Sequence, residues 1–293
     1  MKKVIGIDIG GTKILGGLIN EKGTLIESIK VPTNALCGRD AIINSIFSII
    51  NKLMDKEVKG IGVGSAGRIN YNKGIVDYAT DNLPGWTNLN IKKTVETKYK
   101  IPVIADNDVN TAVLGEHWIG SALGYKNIIM ITLGTGVGGA VICDNKLVRG
   151  KHFSTGEIGH TVIYPDGIEC NCGKKGCLEQ YVSGNGITKR YNKMIGGNKV
   201  NKAEEVFELY IKEDNIANLV VNEAIKTLAI AINNLRNILD PEIFIIGGGL
   251  INSKEIWWDS FILQIDKDIK INSALLSNKA TMYGAAKLIL KYL

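Results

Sequence analysis

The hydrophobic positions change period repeatedly along the 293 residues. Short β-branched runs at 4–9 and 14–19 read as two paired strands, with Gly10, Gly11, Thr12 and Lys13 as a glycine-rich tip between them. From 41 to 56 the apolar residues Ile42, Ile43, Ile46, Phe47, Ile49, Ile50 and Leu53 recur at helical spacing, and 59–63 then reads as a buried strand. Another strand at 101–105 runs into a helix at 110–118, which leaves Asn107 and Asp108 at a strand-to-helix junction where side chains can face a cleft. Strands at 127–133 and 140–143 flank a second tip containing Gly134, Thr135 and Gly136, repeating the organisation of the first. Residues 219–239 carry an apolar stripe through Val220, Ala224, Leu228, Ala231, Leu235 and Ile238 and stop before Pro241. A strand at 242–246 leads into Gly247, Gly248 and Gly249, and 280–292 reads as a closing helix. This alternation of strand and helix predicts an α/β fold with no flexible tether.

A chain of this length can bury a large core without disulfides. No uninterrupted apolar run is long enough to span a bilayer, and Asp8 with its neighbouring glycines breaks the continuous apolar region of a signal peptide, so the expected location is cytoplasmic and no membrane partner is expected. The net charge of +6 comes from 35 basic and 29 acidic residues scattered without a basic block, so nothing points to nucleic acid. Of the five cysteines, Cys170, Cys172 and Cys177 crowd together while Cys37 and Cys143 stand apart, which suits a metal better than a disulfide framework.

Glycine tips let a backbone approach phosphate oxygens with its N–H groups, and Thr12 and Thr135 add hydroxyl donors. Asp8, just before the first tip, is placed to orient water on Mg²⁺. Read one at a time, such tips are also ordinary hairpin turns; two of them in one chain favour a nucleotide. Asp108 has two local readings, a carboxylate that accepts the proton of an attacking hydroxyl and an N-cap of the following helix. His160 with Cys170, Cys172 and Cys177 forms the donor set of a closed, structural zinc site. Fixing the His160 ring would also fix the loop that carries Glu157.

Five motifs in order, DIGGTK at 8–13, NDVNTAVLGE at 107–116, LGTGVGGA at 133–140, TGEIGH at 155–160 and CNCGKKGCLE at 170–179, resemble those of the ROK family of sugar kinases. The resemblance covers nearly the whole chain. It implies two ribonuclease-H-like domains of the sugar kinase and actin-like ATPase superfamily, with ATP and sugar in a cleft between them. The expected domains are 1–107, joined by the last helix 280–293, and 108–279, which holds the zinc site. It further implies Asp108 as general base, a sugar held by Asn107, Asp108, Glu157, His160 and Glu179, and ATP on Asp8, Gly10 to Lys13, Gly134, Thr135, Gly136 and the adenosine-side turn Gly247, Gly248 and Gly249. A plain helix-entry loop remains the other reading of that last turn.

The segment at 64–80 is similar to that of N-acetylmannosamine kinases, which would bring Gly67, Arg68 and Thr80 near the sugar, and small Ser65, Ala66 and Gly67 leave space for an N-acyl group. The expected reaction is therefore 6-phosphorylation of an N-acylhexosamine, N-acetylmannosamine first, with glucose as the alternative. A ROK sugar-sensing repressor is a further alternative, disfavoured because the first strand begins near Lys3 and leaves no room for a helix-turn-helix domain. Family members commonly form dimers or tetramers, and the same is expected here.

Overall fold

The computed structural model describes residues 1–293. The opening hairpin is β1 (Lys3–Ile9) and β2 (Lys13–Asn20), extended by β3 (Leu25–Pro32). Then come α1 (Arg39–Leu53), β4 (Val58–Ser65), the small hairpin β5 (Arg68–Asn70) and β6 (Ile75–Tyr78), α2 (Ile91–Tyr99), β7 (Val103–Asn107) and α3 (Asp108–Ile119). The second half runs β8 (Ile128–Leu133), β9 (Val137–Cys143), β10 (Lys146–Val148), α4 (Glu179–Val182), α5 (Gly184–Ile195), α6 (Ala203–Ile211), α7 (Asn215–Leu239), β11 (Ile243–Gly247), α8 (Lys254–Ile262), β12 (Ile271–Ser273) and α9 (Ala280–Tyr292). The class is α/β as the periodicity predicts. The periodicity did not reveal β3, the β5–β6 hairpin, α2, β10, α4, α5, α6, α8 or β12.

The first sheet has strand order β3-β2-β1-β4-β7, with β1, β2 and β3 antiparallel and β4 and β7 parallel to β1. The second has order β10-β9-β8-β11-β12, so each strand has a counterpart at the same place in the first sheet. The repeat seen in the two glycine tips is thus a repeat of whole sheets.

The chain divides into two compact units, one of Met1–Tyr125, Val141–Thr155 and Ala274–Leu293, the other of Lys126–Ala140 and Gly156–Ser273. The expected boundary after Asn107 is not where the first unit ends, because α3 packs along α9 and stays with it. Period-2 alternation explains how the first sheet is covered: Gly16 faces Ile49 of α1, while Gly17 faces Met282 of α9 on the opposite side. Both faces are therefore apolar, and Ile5, Ile7, Ile9, Ile61 and Val63 are fully buried. Glu116 near the end of α3 is also fully buried, and its carboxylate accepts from the amides of Ser121, Leu275 and Leu276 and from the Ser121 hydroxyl at 2.7–3.1 Å. It ties down the chain shortly before it leaves this unit after Tyr125 and directly where it re-enters at Ala274.

In the second unit α7 is the central helix, packed by α4, α5, α6 and α8. By length and composition alone it could cross a membrane, but over its most apolar 18-residue window 56% of the helix is buried within the fold. Its buried stripe runs through Val220, Val221, Ala224, Ile225, Leu228, Ala231 and Ile232, whereas Leu219 and, against the stripe read from the sequence, Ile238 are exposed because the last turns of the helix run out of the core. Asp214 caps it by accepting from the amides of Ile216 and Ala217, and Asp240 ends it in the left-handed conformation before Pro241.

Candidate active site

In the first unit the tip between β1 and β2 is held from within and from Thr33, the residue after β3. The Gly10 amide donates to the Lys13 carbonyl at 3.1 Å, the Thr33 hydroxyl donates to the Gly10 carbonyl at 2.6 Å, and the Thr33 amide donates to the Thr12 carbonyl at 3.1 Å. Thr12 itself is exposed, whereas Gly10, Gly11 and Lys13 are partly buried. Asp8 lies one turn of pleat before the tip. Burial, then the negative charge of nearby Asp108, push its carboxyl up to about 7, with Lys13 pulling the other way. Two carboxylates are thus drawn together beside a backbone loop with a lysine, which is the charge pattern a divalent cation and phosphates complete.

Asp108 opens α3, and the residue that caps the helix is its neighbour. Asn107 Oδ1 accepts from the amides of Val109 and Asn110 at 2.8 and 3.1 Å, so the N-cap reading of Asp108 gives way to Asn107 as the cap. Asn107 Nδ2 in turn donates to Asp108 Oδ1 at 2.8 Å and to the Gly67 carbonyl at 3.0 Å. That second bond brings the β5–β6 hairpin to the same place. Arg68 pairs with Tyr78 in that hairpin, and exposed Arg68 and Thr80 stand at its end. Ser65 behaves differently from the expectation of an open N-acyl pocket: it is fully buried, accepts from Trp86 Nε1 at 3.0 Å and donates to the Ala66 carbonyl at 3.1 Å. The core uses its hydroxyl.

In the second unit the tip at 134–136 is closed by the Gly134 amide donating to the Gly136 carbonyl at 2.9 Å, and the Gly184 amide at the start of α5 donates to the Gly134 carbonyl at 2.8 Å. Thr135 is exposed at its apex. Parallel pairing of β8 with β11 sets Gly247 opposite Thr132, so the turn after β11 lies beside the same tip. Gly248 there has φ 88° and a Cβ would stand 2.3 Å from the Leu133 carbonyl oxygen, so only glycine fits. Gly249 then begins the short helical turn that feeds α8, so this segment is a helix-entry loop as well as a neighbour of the tip. Glu179 also reaches the tip: its Oε2 accepts from the Val137 amide at 2.9 Å and lies over Gly136. Glu157 is exposed just before the short turn that carries His160.

His160, Cys170, Cys172 and Cys177 converge, their ligand atoms all within 4.8 Å of one another. His160 Nδ1 is 3.6 Å from Cys170 Sγ, and Cys172 and Cys177 sulfurs are also 3.6 Å apart. No disulfide joins them. Zn–S bonds of about 2.3 Å in a tetrahedron separate sulfurs by about 3.8 Å, so the spacing and the three-sulfur, one-imidazole donor set fit that kind of ion. Burial and the adjacent sulfurs push the Cys177 thiol up, whereas the Lys174 amide pulls Cys172 down.

The residues picked out in the sequence therefore gather in two groups. Asp8, Gly10 to Lys13, Gly67, Arg68, Thr80, Asn107 and Asp108 belong to the first unit, and Gly134 to Gly136, Glu157, Glu179, the Cys/His cluster and Gly247 to Gly249 to the second. Sequence reading passed over Asp106, Glu116 and Arg149. Only a buried acidic residue inside an otherwise apolar stretch hinted at Asp106, and the basic partner that explains it lies 43 residues away.

Two five-stranded sheets of one topology, each with a glycine tip between its first two strands, define the actin-like ATPase fold of sugar kinases. A sequence model of the ROK family matches residues 4–292, and the chain belongs to that family. It is 36% identical over 265 residues to a glucokinase of Halalkalibacterium halodurans, covering 84% of this chain and 80% of that one. With an N-acetyl-D-glucosamine kinase of Photobacterium profundum it shares 31% identity over 98% of this chain and 99% of the other. Among solved structures, a ROK glucokinase from Streptomyces griseus in complex with glucose and AMPPNP superposes with a TM-score of 0.81 at 30% identity, covering 98% of both chains. The protein is a hexose kinase of this family.

Proposed function

We propose that the protein transfers the γ-phosphoryl group of ATP to the 6-hydroxyl of glucose. The observation that carries the reading is the β7–α3 junction, where Asp108 stands at the first turn of a helix with Asn107 holding its Oδ1 at 2.8 Å and Asp8 close enough to feel its charge. A carboxylate so oriented accepts the proton of a sugar hydroxyl as the bond to phosphorus forms, and phosphoryl transfer relies mostly on such positioning and on charge neutralisation. Asp8 and the tip at 10–13 suit Mg²⁺ and the phosphates, and the tip at 134–136 with the 247–249 turn suits the rest of the nucleotide. Gly67, Arg68, Thr80, Asn107, Glu157, His160 and Glu179 are the proposed sugar contacts. Hydrogen-bonding groups around a polyol discriminate epimers by being left unpaired with the wrong one.

The Cys/His cluster is proposed to hold a structural Zn²⁺. His160 would bind it through Nδ1, which keeps Nε2 for a sugar hydroxyl, and the ion would hold the turn after Glu157.

Glucose replaces N-acetylmannosamine as the first candidate for two reasons. The glucokinase relative is more similar than the amino-sugar kinase, and Ser65 is committed to the core rather than to an N-acyl pocket. An N-acylhexosamine remains the second reading, supported by the relative that phosphorylates N-acetyl-D-glucosamine and matches over the whole chain. The deciding experiment is an ATP-consumption assay with Mg²⁺ against glucose, mannose, N-acetylglucosamine and N-acetylmannosamine, compared by kcat/KM. Glucose at the top is the expected result; an N-acylhexosamine at the top discards the substrate and keeps the chemistry.

A further inference from the structure

Asp106, the residue before the Asn107–Asp108 pair, is 1% exposed, and none of the roles above uses it. Its carboxylate is fully engaged. Oδ1 accepts from the Asn107 amide at 2.8 Å and from Asn110 Nδ2 at 3.0 Å, and Oδ2 faces Arg149, with Nε at 2.8 Å and the terminal nitrogen at 2.7 Å. Burial raises the carboxyl's pKa and the guanidinium opposes that rise. A buried ion pair is poor evidence for stability, because desolvation offsets the attraction. Two guanidinium donors converging on the one oxygen Oδ2 do fix geometry, and what they fix is the informative part.

Arg149 follows β10 directly, and its guanidinium also lies 3.7 Å from the centroid of the Tyr71 ring. Tyr71 follows β5, within the hairpin that carries Arg68 and leads to Thr80. The Arg149 carbonyl accepts from the Thr155 amide at 3.3 Å, which closes the loop 149–155 two residues before Glu157. On the other side Asp106 sets the backbone of Asn107, whose side chain grips Gly67 and Asp108. One guanidinium thus joins three chain segments that are far apart in sequence, and two of them carry proposed sugar contacts.

We infer that Arg149 is a positioning residue for the sugar: braced by Asp106 and Tyr71, it keeps the 68–80 hairpin and the Asn107–Asp108 junction in register with each other. The inference rests on the sugar-kinase reading. Arginine is required because lysine offers a point charge with neither a second donor held in the same plane nor a flat face for the tyrosine. Misplacing hydroxyl contacts by a fraction of an ångström weakens sugar capture while the nucleotide groups stay where they were.

Steady-state kinetics with glucose and MgATP test this on the wild type, Arg149→Ala, Arg149→Lys, Tyr71→Leu, Asp106→Asn and the pair Asp106→Asn with Arg149→Ala. Arg149→Ala is expected to raise the KM for glucose about tenfold or more and to leave the KM for ATP within about twofold. Arg149→Lys recovers part of that loss at most, Tyr71→Leu gives a smaller rise of the same kind, and the double variant is no worse than the poorer single one because both remove the same tie. Should Arg149→Ala not fold because it leaves the buried Asp106 carboxylate without its cation, the pair Asp106→Asn with Arg149→Ala, which removes both charges, and Tyr71→Leu carry the test. A folded, active Arg149→Ala with an unchanged KM for glucose overturns the inference, and so does a parallel rise in both KM values. A wild type inert toward every sugar overturns the parent reading, which the variants alone do not do.

Discussion

Gly284 of α9 and Thr111 of α3 meet backbone to backbone: a Cβ on Gly284 would stand 1.6 Å from the Thr111 carbonyl oxygen. The same approach lets Thr281 Oγ1 donate to the Asp108 carbonyl at 3.2 Å, so the last helix of the chain supports the first turn of the helix that carries the proposed base. Gly62 of β4 has a matching contact, with its Cβ position 1.8 Å from the Ala285 carbonyl oxygen. Close backbone approach on two sides makes α9 the keystone of the first unit.

Gly284→Ala is therefore expected to destabilise the protein by about 1–3 kcal/mol or more, the usual cost of overpacking, here at its upper end because backbone must absorb it. Denaturant unfolding measures it. A loss below about 0.5 kcal/mol would mean that α9 shifts freely, and the support of Asp108 through Thr281 would then carry no weight.

Asp108→Asn removes the proton acceptor and keeps nearly the same shape, so kcat should fall by about 10²–10⁴ while glucose binding and the melting temperature stay close to wild type. Asn107→Ala does more damage to structure, costing about 1 kcal/mol for the lost cap in addition to the grip on Gly67. Undiminished turnover in Asp108→Asn would remove the base from the mechanism.

Asp8 links activity to stability with a definite sign. Its folded carboxyl titrates at about 7 against an ordinary value of 3.8, raised first by burial and then by Asp108. Between those values the folded protein holds a proton that the unfolded chain has lost. The contribution is fully present below about pH 4 and is lost as pH rises through 7, by about 4 kcal/mol at most for a shift of this size. Without nucleotide, Asp8→Asn should be more stable than wild type at pH 8, with the difference shrinking toward pH 4, although its kinase activity is lost. Equal melting profiles for the two proteins from pH 4 to 8 would contradict the raised value.

For the metal, elemental analysis should find about one zinc per chain. A strong chelator is expected to lower the melting temperature and to raise the KM for glucose more than the KM for ATP, because the turn held by His160 follows Glu157 directly. Cys177→Ser should reproduce both effects, since that sulfur is wholly buried within the cluster. Zinc-free protein with full activity would reduce the four residues to a packing motif.

Much of this protein was legible along the chain because its signals are local. The β1–β2 and β8–β9 hairpins announce themselves by period-2 runs around glycine tips, and α9 was read with its true ends from apolar spacing and the chain terminus. The Cys/His cluster is a matter of ligand count within 18 residues, and the five motifs sufficed for the family. What the chain alone could not decide depends on partners distant in sequence. That Asn107 rather than Asp108 caps α3 is a question of which side chain turns back to the helix, and both types suit the position. That α3 belongs with the first unit follows from Gly115 and Gly284 allowing two helices to touch, though they are 169 positions apart in the chain. That Ser65 serves Trp86, and that Asp106, Arg149 and Tyr71 form one brace, has no periodicity or spacing to reveal it. Local pattern specifies elements because it is set by backbone geometry and burial of one face; side-chain pairings across elements are set by packing in three dimensions, which is why only the folded molecule discloses them.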